Sequence, residues 1–245
     1  MLTPAIADST YVLNDLNVAN AERIARFARK LAGMLGVPAT IETEADSDAA
    51  LRDADFILVT ISTGGLDAMA HDLAIPEEYG IYHTVGDTVG PGGWARTMRN
   101  VPVFADLARR AERLAPKSII LNYTNPMAQL TKTLSLRTSR PVVGLCHGPF
   151  ETLHVIQMLF GLEGEKDIDI IYGGVNHFFF VTKLTIGGRD GYEMLSQKLA
   201  GRRLVDLVPE EYRDQVRWQV ASELYELTGM LTYLADRHIT EFFPH

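Results

Sequence analysis

Along its first 145 residues the chain alternates short, wholly apolar runs with longer stretches of helical spacing. Tyr11-Val12-Leu13-Asn14-Asp15 reads as a short buried strand ending in an acid. Ile24, Phe27, Ala28, Leu31 and Leu35 recur at helical spacing, with Asn17 or Asn20 as the cap and Gly36 as the stop. Ala39-Thr40-Ile41-Glu42 is a second strand and Asp46 to Asp53 a short helix. Asp55-Phe56-Ile57-Leu58-Val59-Thr60 is a third, strongly apolar strand. A helix opens at Trp94; Phe104 to Leu114 continues it until Pro116. Ser118 to Tyr123 and Pro141 to Leu145 are two more buried strands, with a helix starting at Pro126 between them. Continuous apolar strands alternating with helices predict an α/β fold with a parallel sheet covered on both faces.

Past residue 145 the pattern changes. Ile168 to Tyr172 is a strand, and Phe178 to Leu184 alternates into another, with a turn at Gly187-Gly188. Val205 to Pro209 is irregular, and Glu210 to Leu231 is mostly helical. The sequence ends on an apolar Phe242-Phe243-Pro244 segment, which is expected of a chain cut short rather than of a natural surface terminus.

Composition narrows the function classes. The chain has 245 residues, enough for one large or two modest domains, and 47% are hydrophobic, so a substantial core is expected. The net charge of −8 comes without a basic run, which argues against nucleic-acid and anionic-membrane partners. A single cysteine, Cys146, excludes an internal disulfide framework and suits a reducing compartment. No leader-like start is visible, and no apolar run approaches the roughly 18 residues of a membrane span. A cytoplasmic protein is expected.

Several strand ends carry candidate chemistry. Asp15 ends a strand where a Rossmann unit places the acid that binds adenosine ribose hydroxyls, or it is a helix-flanking carboxylate. A glycine-rich phosphate loop should precede such an acid by about 20 residues. Too few residues precede Asp15, so the first strand and that loop are expected to be missing. Thr60 ends the third strand and Ser62 follows it, next to Gly64-Gly65, where small residues let backbone approach a ligand closely. The Gly86-Asp87-Thr88-Val89-Gly90-Pro91-Gly92-Gly93 segment opens a helix whose start favours anions, or is an ordinary loop. Arg96 and Arg99 lie on that helix, about one turn apart. Asn125 sits just past the carboxyl end of a strand, where open α/β sheets bind ligands, and it can also cap the following helix. Cys146-His147 and Asn176-His177 each follow a strand. A thiolate with an imidazole suits a divalent transition metal and leaves positions open for substrate oxygens and water, although a lone cysteine is often an inert core residue.

Taken in order, Asp55 to Gly65, Val85 to Arg99, Asn122 to Thr131, Gly144 to Pro149, Gly174 to His177 and Asp236 to Pro244 resemble glycoside hydrolase family four, the NAD- and manganese-dependent glycosidases. The resemblance implies two cofactors, NAD and Mn²⁺ or another divalent metal. It implies a Rossmann-like NAD-binding domain over residues 1–143, incomplete at its start. A partial α+β domain like the C-terminal domain of lactate dehydrogenase follows over residues 144–245, incomplete at its end, with the site at the junction. The implied reaction on a small sugar substrate begins with NAD-dependent oxidation at C3. A base then removes the C2 proton, the C1–O bond breaks by elimination, water adds, and C3 is reduced again.

Carried over by motif, Cys146 and His177 resemble the metal ligands and His147 the general acid. Asp236 is the first candidate for the C2 base, with Tyr233 or Tyr225 as alternatives. Asp15, Thr60, Ser62 and Asn125 resemble coenzyme contacts; Asn125, Asn176, Arg99 and Asp87 resemble substrate contacts, and His238 is a further cleft candidate. Met69 stands where many family members have arginine, which argues against a phosphorylated sugar. Cys146-His147 points to non-phosphorylated α-glycosides such as galactosides or uronides. The implied full-length form is a homo-oligomer, a dimer or tetramer. The alternatives are a 2-hydroxy-acid dehydrogenase of the lactate/malate type and an inactive truncated fragment.

Overall fold

The structure, a computed structural model, describes residues 3–208, 210 and 217–243. In chain order its elements are β1 (Thr10–Leu13), α1 (Val18–Leu35), β2 (Thr40–Thr43), α2 (Ser47–Leu51), β3 (Phe56–Val59), α3 (Gly65–Glu77), α4 (Gly90–Leu114), β4 (Ile119–Asn122), α5 (Met127–Ser135), β5 (Val142–Gly144) and α6 (Gly148–Phe160). There follow β6 (Ile168–Val175), β7 (Phe178–Ile186), β8 (Arg189–Asp190), α7 (Gly191–Leu199), α8 (Gln219–Thr228) and α9 (Asp236–Ile239). β1 pairs with β2, β3, β4 and β5 form a sheet in that order, and β6, β7 and β8 form another. The fold is α/β, as the alternation of apolar strands with helices predicts, and Rossmann-like, as the resemblance implies. No helix among the described residues is long and apolar enough to cross a membrane.

The chain divides into two compact units, each built from three segments. The first takes Met1–Leu58, Ala105–Ile120 and Leu134–Val142; the second takes Val59–Phe104, Leu121–Thr133 and Val143–His245. In the first unit β1 runs parallel to β2, with Thr10 opposite Thr40 and Leu13 opposite Thr43. The Asn17 side chain accepts the Asn20 N–H to start α1, and Gly36 ends it in the left-handed conformation at φ 64°. Small residues let α1 lie close: Ala25 and Ala32 are buried with Ile41, joined by Tyr11, Leu13, Ala28 and Val37. Ile24, Phe27 and Leu35, whose spacing predicts the helix, are exposed. The periodicity thus locates α1, while alanines supply its buried stripe.

The second unit holds the larger core. β6 and β7 form an antiparallel hairpin running from Ile168 opposite Ile186 to Val175 opposite Phe178. Alternation along β7 buries Phe179, Val181, Leu184 and Ile186, which join Ile156 and Leu159 of α6, Leu195 and Leu199 of α7, and Trp218. Of the expected helix over Glu210 to Leu231, the described residues show only Gln219–Thr228 as helix, α8, ended by Gly229 at φ 70°; residues 211–216 lie outside the described ones. The chain then returns along β7: Val181 N–H donates to Leu231 O, and Tyr233 N–H to Phe179 O. This return carries Tyr233 and α9 to the hairpin tip formed by Asn176 and His177.

The first turn of α4 fixes the loop that precedes it. A Cβ on Gly93 would stand 2.6 Å from the Thr88 carbonyl carbon and 2.9 Å from its oxygen. Both obstacles are backbone, so they yield only if the Asp87-Thr88 loop moves. Gly33, inside α1, has no neighbour within 4 Å of the same position. Gly93→Ala is therefore expected to destabilise the fold by about 1–3 kcal/mol. Gly33→Ala should stabilise it by about 0.5–1 kcal/mol through helix propensity. Urea unfolding of the two variants checks both signs.

Candidate functional site

Three strand ends and the return segment meet in the second unit. At the end of β4 the buried Asn122 side chain donates to Thr124 O, Met127 O and Thr131 Oγ1 and accepts the Thr124 N–H at 2.9 Å. This net shapes the turn and presents Asn125. The Asn125 amide donates to Asp87 Oδ2 at 3.0 Å, and its oxygen accepts the Met127 N–H at 3.2 Å. Asn125 is thus both a helix cap and a contact of the acid facing it.

Asp87 is buried, and its other oxygen accepts the Thr88 hydroxyl at 2.9 Å. The same hydroxyl lies 2.7 Å from His177 Nδ1. A hydroxyl has one proton, and a carboxylate can only accept. With Thr88 donating to Asp87, His177 must donate from Nδ1, which leaves the Nε2 lone pair free for a ligand. His177 is 5% exposed, and its backbone is left-handed at φ 66°. Such a conformation is uncommon for histidine and marks a position held by its surroundings.

The rings of His177 and His238 lie 4.2 Å apart, and Tyr233 stacks on both. Asp87, His177 and His238 each offer a ligand atom, and these atoms all lie within 4.8 Å of one another. One carboxylate oxygen and two imidazole nitrogens suit manganese, iron or zinc. Burial and the neighbouring His238 lower the His177 pKa from 6.5 to about 4, although Asp87 and Glu151 pull the other way. Burial also lowers that of His238. Both imidazoles are therefore neutral near pH 7, the form that binds metal.

Two cavities adjoin this cluster. One, of about 850 Å³, is lined by Tyr123, Met127, Leu145, Cys146, Phe150 and Asn176 among others; a smaller one, of about 190 Å³, is lined by Asn125, Cys146, His147, Glu151, Tyr233 and His238. His177 lines both. Cys146 Sγ accepts the Gly148 N–H at 3.4 Å and stays outside the close three-donor cluster. His147 is exposed at the head of α6, with Nδ1 3.5 Å from Glu151 Oε1. Asn176 Oδ1 is buried without a hydrogen-bond partner, which leaves an open acceptor on the wall of the larger cavity.

The two base candidates sit differently. Tyr233 donates its hydroxyl to Glu151 Oε2 at 2.5 Å. Burial and that carboxylate push its pKa well above the usual tyrosine value. Asp236 lines neither cavity; its carboxylate accepts the Val220 N–H at 2.8 Å and the Ala221 N–H at 3.0 Å, and so caps α8. Burial raises the Asp236 pKa against the pull of those N–H groups. Tyr225, the third candidate, also lies off both cavity walls.

The Arg99 guanidinium grips both oxygens of Asp72 at 2.5–2.9 Å and lines neither cavity. Asp15, in the first unit, is exposed and accepts the Asn17 N–H at 2.7 Å, the helix-flanking arrangement. Thr60 and Ser62 are exposed in the loop after β3. Sequence reasoning missed Thr88 and Glu151. Glu151 had one available signal, its place four residues after His147 where Gly148-Pro149 can open a helix.

The family 4 glycosyl hydrolase model matches residues 1–162. An α-galacturonidase of Bacillus subtilis is 37% identical over 207 residues, 80% of this chain and 46% of that protein. A solved structure named as a glucosidase from Bacillus subtilis has a TM-score of 0.85 at 32% identity, and the match covers 96% of this chain and 56% of that one. A 6-phospho-α-glucosidase from gut microorganisms, solved with NAD and Mn²⁺, has a TM-score of 0.80 at 20% identity over 96% of this chain and 54% of that one; it shows the fold alone. The chain spans about half the length of the curated relatives it matches.

The lowered His177 pKa carries a sign that can be tested. Above pH 6.5 folded and unfolded states both hold this ring neutral; between 6.5 and about 4 only the unfolded state takes the proton. Stability is then lost as pH falls through that window. His177→Asn, which tolerates the left-handed backbone, should show a smaller drop in urea midpoint between pH 7 and pH 5 than the parent. An unchanged drop would assign the acid sensitivity to other groups.

Proposed function

This chain belongs to the family 4 glycosyl hydrolases, and on that footing we propose that it carries the metal- and sugar-binding part of an enzyme that cleaves non-phosphorylated α-glycosides, α-galacturonides first among them. The observation that carries the reading is the Asp87, His177 and His238 donor cluster beside two cavities that share Cys146, His147 and His177. The name of the 37% identical Bacillus subtilis relative supports the galacturonide, and Met69 in place of an arginine supports a sugar without phosphate.

The residues fit both cofactors that the reading requires. Asp87, His177 and His238 would hold a divalent cation, with the Cys146 sulfur as a further donor at the cavity wall. The apolar wall of Tyr123, Met127, Leu145 and Phe150 would take a nicotinamide ring, with Asn125 close by. When bound, NAD⁺ supplies a reversible hydride acceptor and the cation a Lewis acid.

This chain's own groups supply positioning and proton handling. Asn125 and Thr88 hold the two Asp87 oxygens in fixed directions. Asn176 Oδ1, buried and open, would accept a sugar hydroxyl. His147, exposed at the rim, would protonate the leaving glycosidic oxygen. Of the C2-base candidates Tyr233 is the one that lines the site; its proton would pass to Glu151 before it could accept the C2 proton. Asp236 would act by capping α8 and fixing the entry to α9.

The test is sugar release by the chain with NAD⁺ and Mn²⁺. An aryl α-galacturonide in D₂O should yield galacturonic acid carrying deuterium at C2, and chelation by EDTA should cut the rate by at least about 100-fold. Release without deuterium would remove the elimination route. Steady NADH formation from a 2-hydroxy acid, without sugar release, would replace the reading by a dehydrogenase.

A further inference from the structure

Glu241 lies in the single turn that follows α9 and belongs to none of the chemistry described so far. Its side chain is 1% exposed. Oε1 accepts the Val85 N–H at 2.8 Å and the Gly86 N–H at 2.5 Å, and it lies 3.5 Å from Nδ1 of His83, itself 3% exposed. His83 Nε2 accepts the Gly92 N–H at 3.2 Å, so its Nδ1 carries the proton and faces the carboxylate. Oε2 is buried without a partner. A buried carboxylate with one oxygen unsatisfied carries a desolvation cost that its remaining hydrogen bonds have to offset.

Its placement gives it another use. Val85 and Gly86 lead directly into Asp87 and Thr88. Glu241 stands three residues after His238, on a segment already anchored by Ile239 in the core and by Phe242 and Phe243 on Phe178, at ring distances of 5.1 and 5.6 Å. The carboxylate therefore ties the loop that presents Asp87 to the segment that presents His238. Thr84 adds a second tie, its hydroxyl donating to Arg237 O.

We propose that Glu241 is a positioning residue that clamps the Asp87 loop to the His238 segment and so sets the spacing of the three-donor cation site. The inference rests on the reading of Asp87, His177 and His238 as cation donors. Glu241→Met fills the same space without a buried charge and removes the acceptor of the two N–H groups. Glu241→Gln keeps one carbonyl oxygen for them.

Mn²⁺ affinity of the purified chain, read from loss of the free-ion EPR signal, tests this without turnover. Circular dichroism and melting temperature follow the fold in parallel. The expected result is an affinity at least about 10-fold weaker in Glu241→Met, with the fold retained, and within about 3-fold of the parent in Glu241→Gln. Parent-like affinity in folded Glu241→Met overturns the clamp while leaving the donor cluster intact. Absence of Mn²⁺ binding in the parent overturns the donor cluster, and the clamp with it. Should Glu241→Met not fold, Thr84→Val replaces it: weaker Mn²⁺ binding at unchanged melting temperature supports the clamp, and unchanged binding overturns it.

Discussion

The hydroxyl of Thr88 carries a single proton and stands between two groups that could each take it. Asp87 Oδ1 lies at 2.9 Å and His177 Nδ1 at 2.7 Å. Because the carboxylate cannot donate, one assignment satisfies both contacts, and it decides which nitrogen of His177 can bind a ligand. Several contacts within the second unit bear on the segment that carries this hydroxyl. The missing side chain of Gly93 lets α4 press on the Thr88 backbone. Gln129 of α5 donates to the Thr88 carbonyl at 3.1 Å. Glu241 holds the two residues that lead into the loop. On the other side, the β6–β7 hairpin places His177 at its tip in a strained backbone conformation.

Most of the strands and the site motifs were legible because they depend on local pattern. Apolar runs bounded by Gly, Pro and Asn locate β1 to β7 to within a few residues, and Asn122 to Pro126 reads as a ligand-facing turn without any knowledge of its partners. The helices α3, α6 and α7 were not legible. In α6, Val155, Ile156, Met158, Leu159 and Phe160 are nearly contiguous, so helical spacing does not separate from a plain apolar run. That omission hid Glu151, whose relation to His147 exists only once both lie on one helix.

Roles were harder to read than positions, because role depends on partners distant in sequence. Arg99 looks free on a helix until Asp72, 27 residues earlier, is found to hold it. Asp236 looks like a cleft acid until Val220 and Ala221 are seen to donate to it. Asp87, His177 and His238 are separated by 90 and 61 residues, and no spacing rule joins them. The periodicity of α1 misled in another way. Its large apolar residues face outward while alanines make the contact, since a close helix–strand approach selects small side chains.

The donor cluster is costly for the fold to maintain alone. His177 adopts a left-handed backbone, which opposes stability by about 1–3 kcal/mol, and its burial and the second imidazole beside it deny it the proton that the unfolded ring takes below pH 6.5. The neighbouring segment adds a buried carboxylate oxygen with no partner in Glu241 and an unpaired Nδ1 in His238. Nothing in the packing requires polar atoms there, because the core beneath is supplied by Val181, Leu231 and Ile239. Packing alone would favour apolar residues at these positions. A cation held only by the native arrangement, as proposed above, would add about 2.7 kcal/mol at a hundred times its dissociation constant. The local instability of the cluster and its fitness for a metal thus share one cause: acceptors gathered in a dry place, held apart from one another, with too few protons among them.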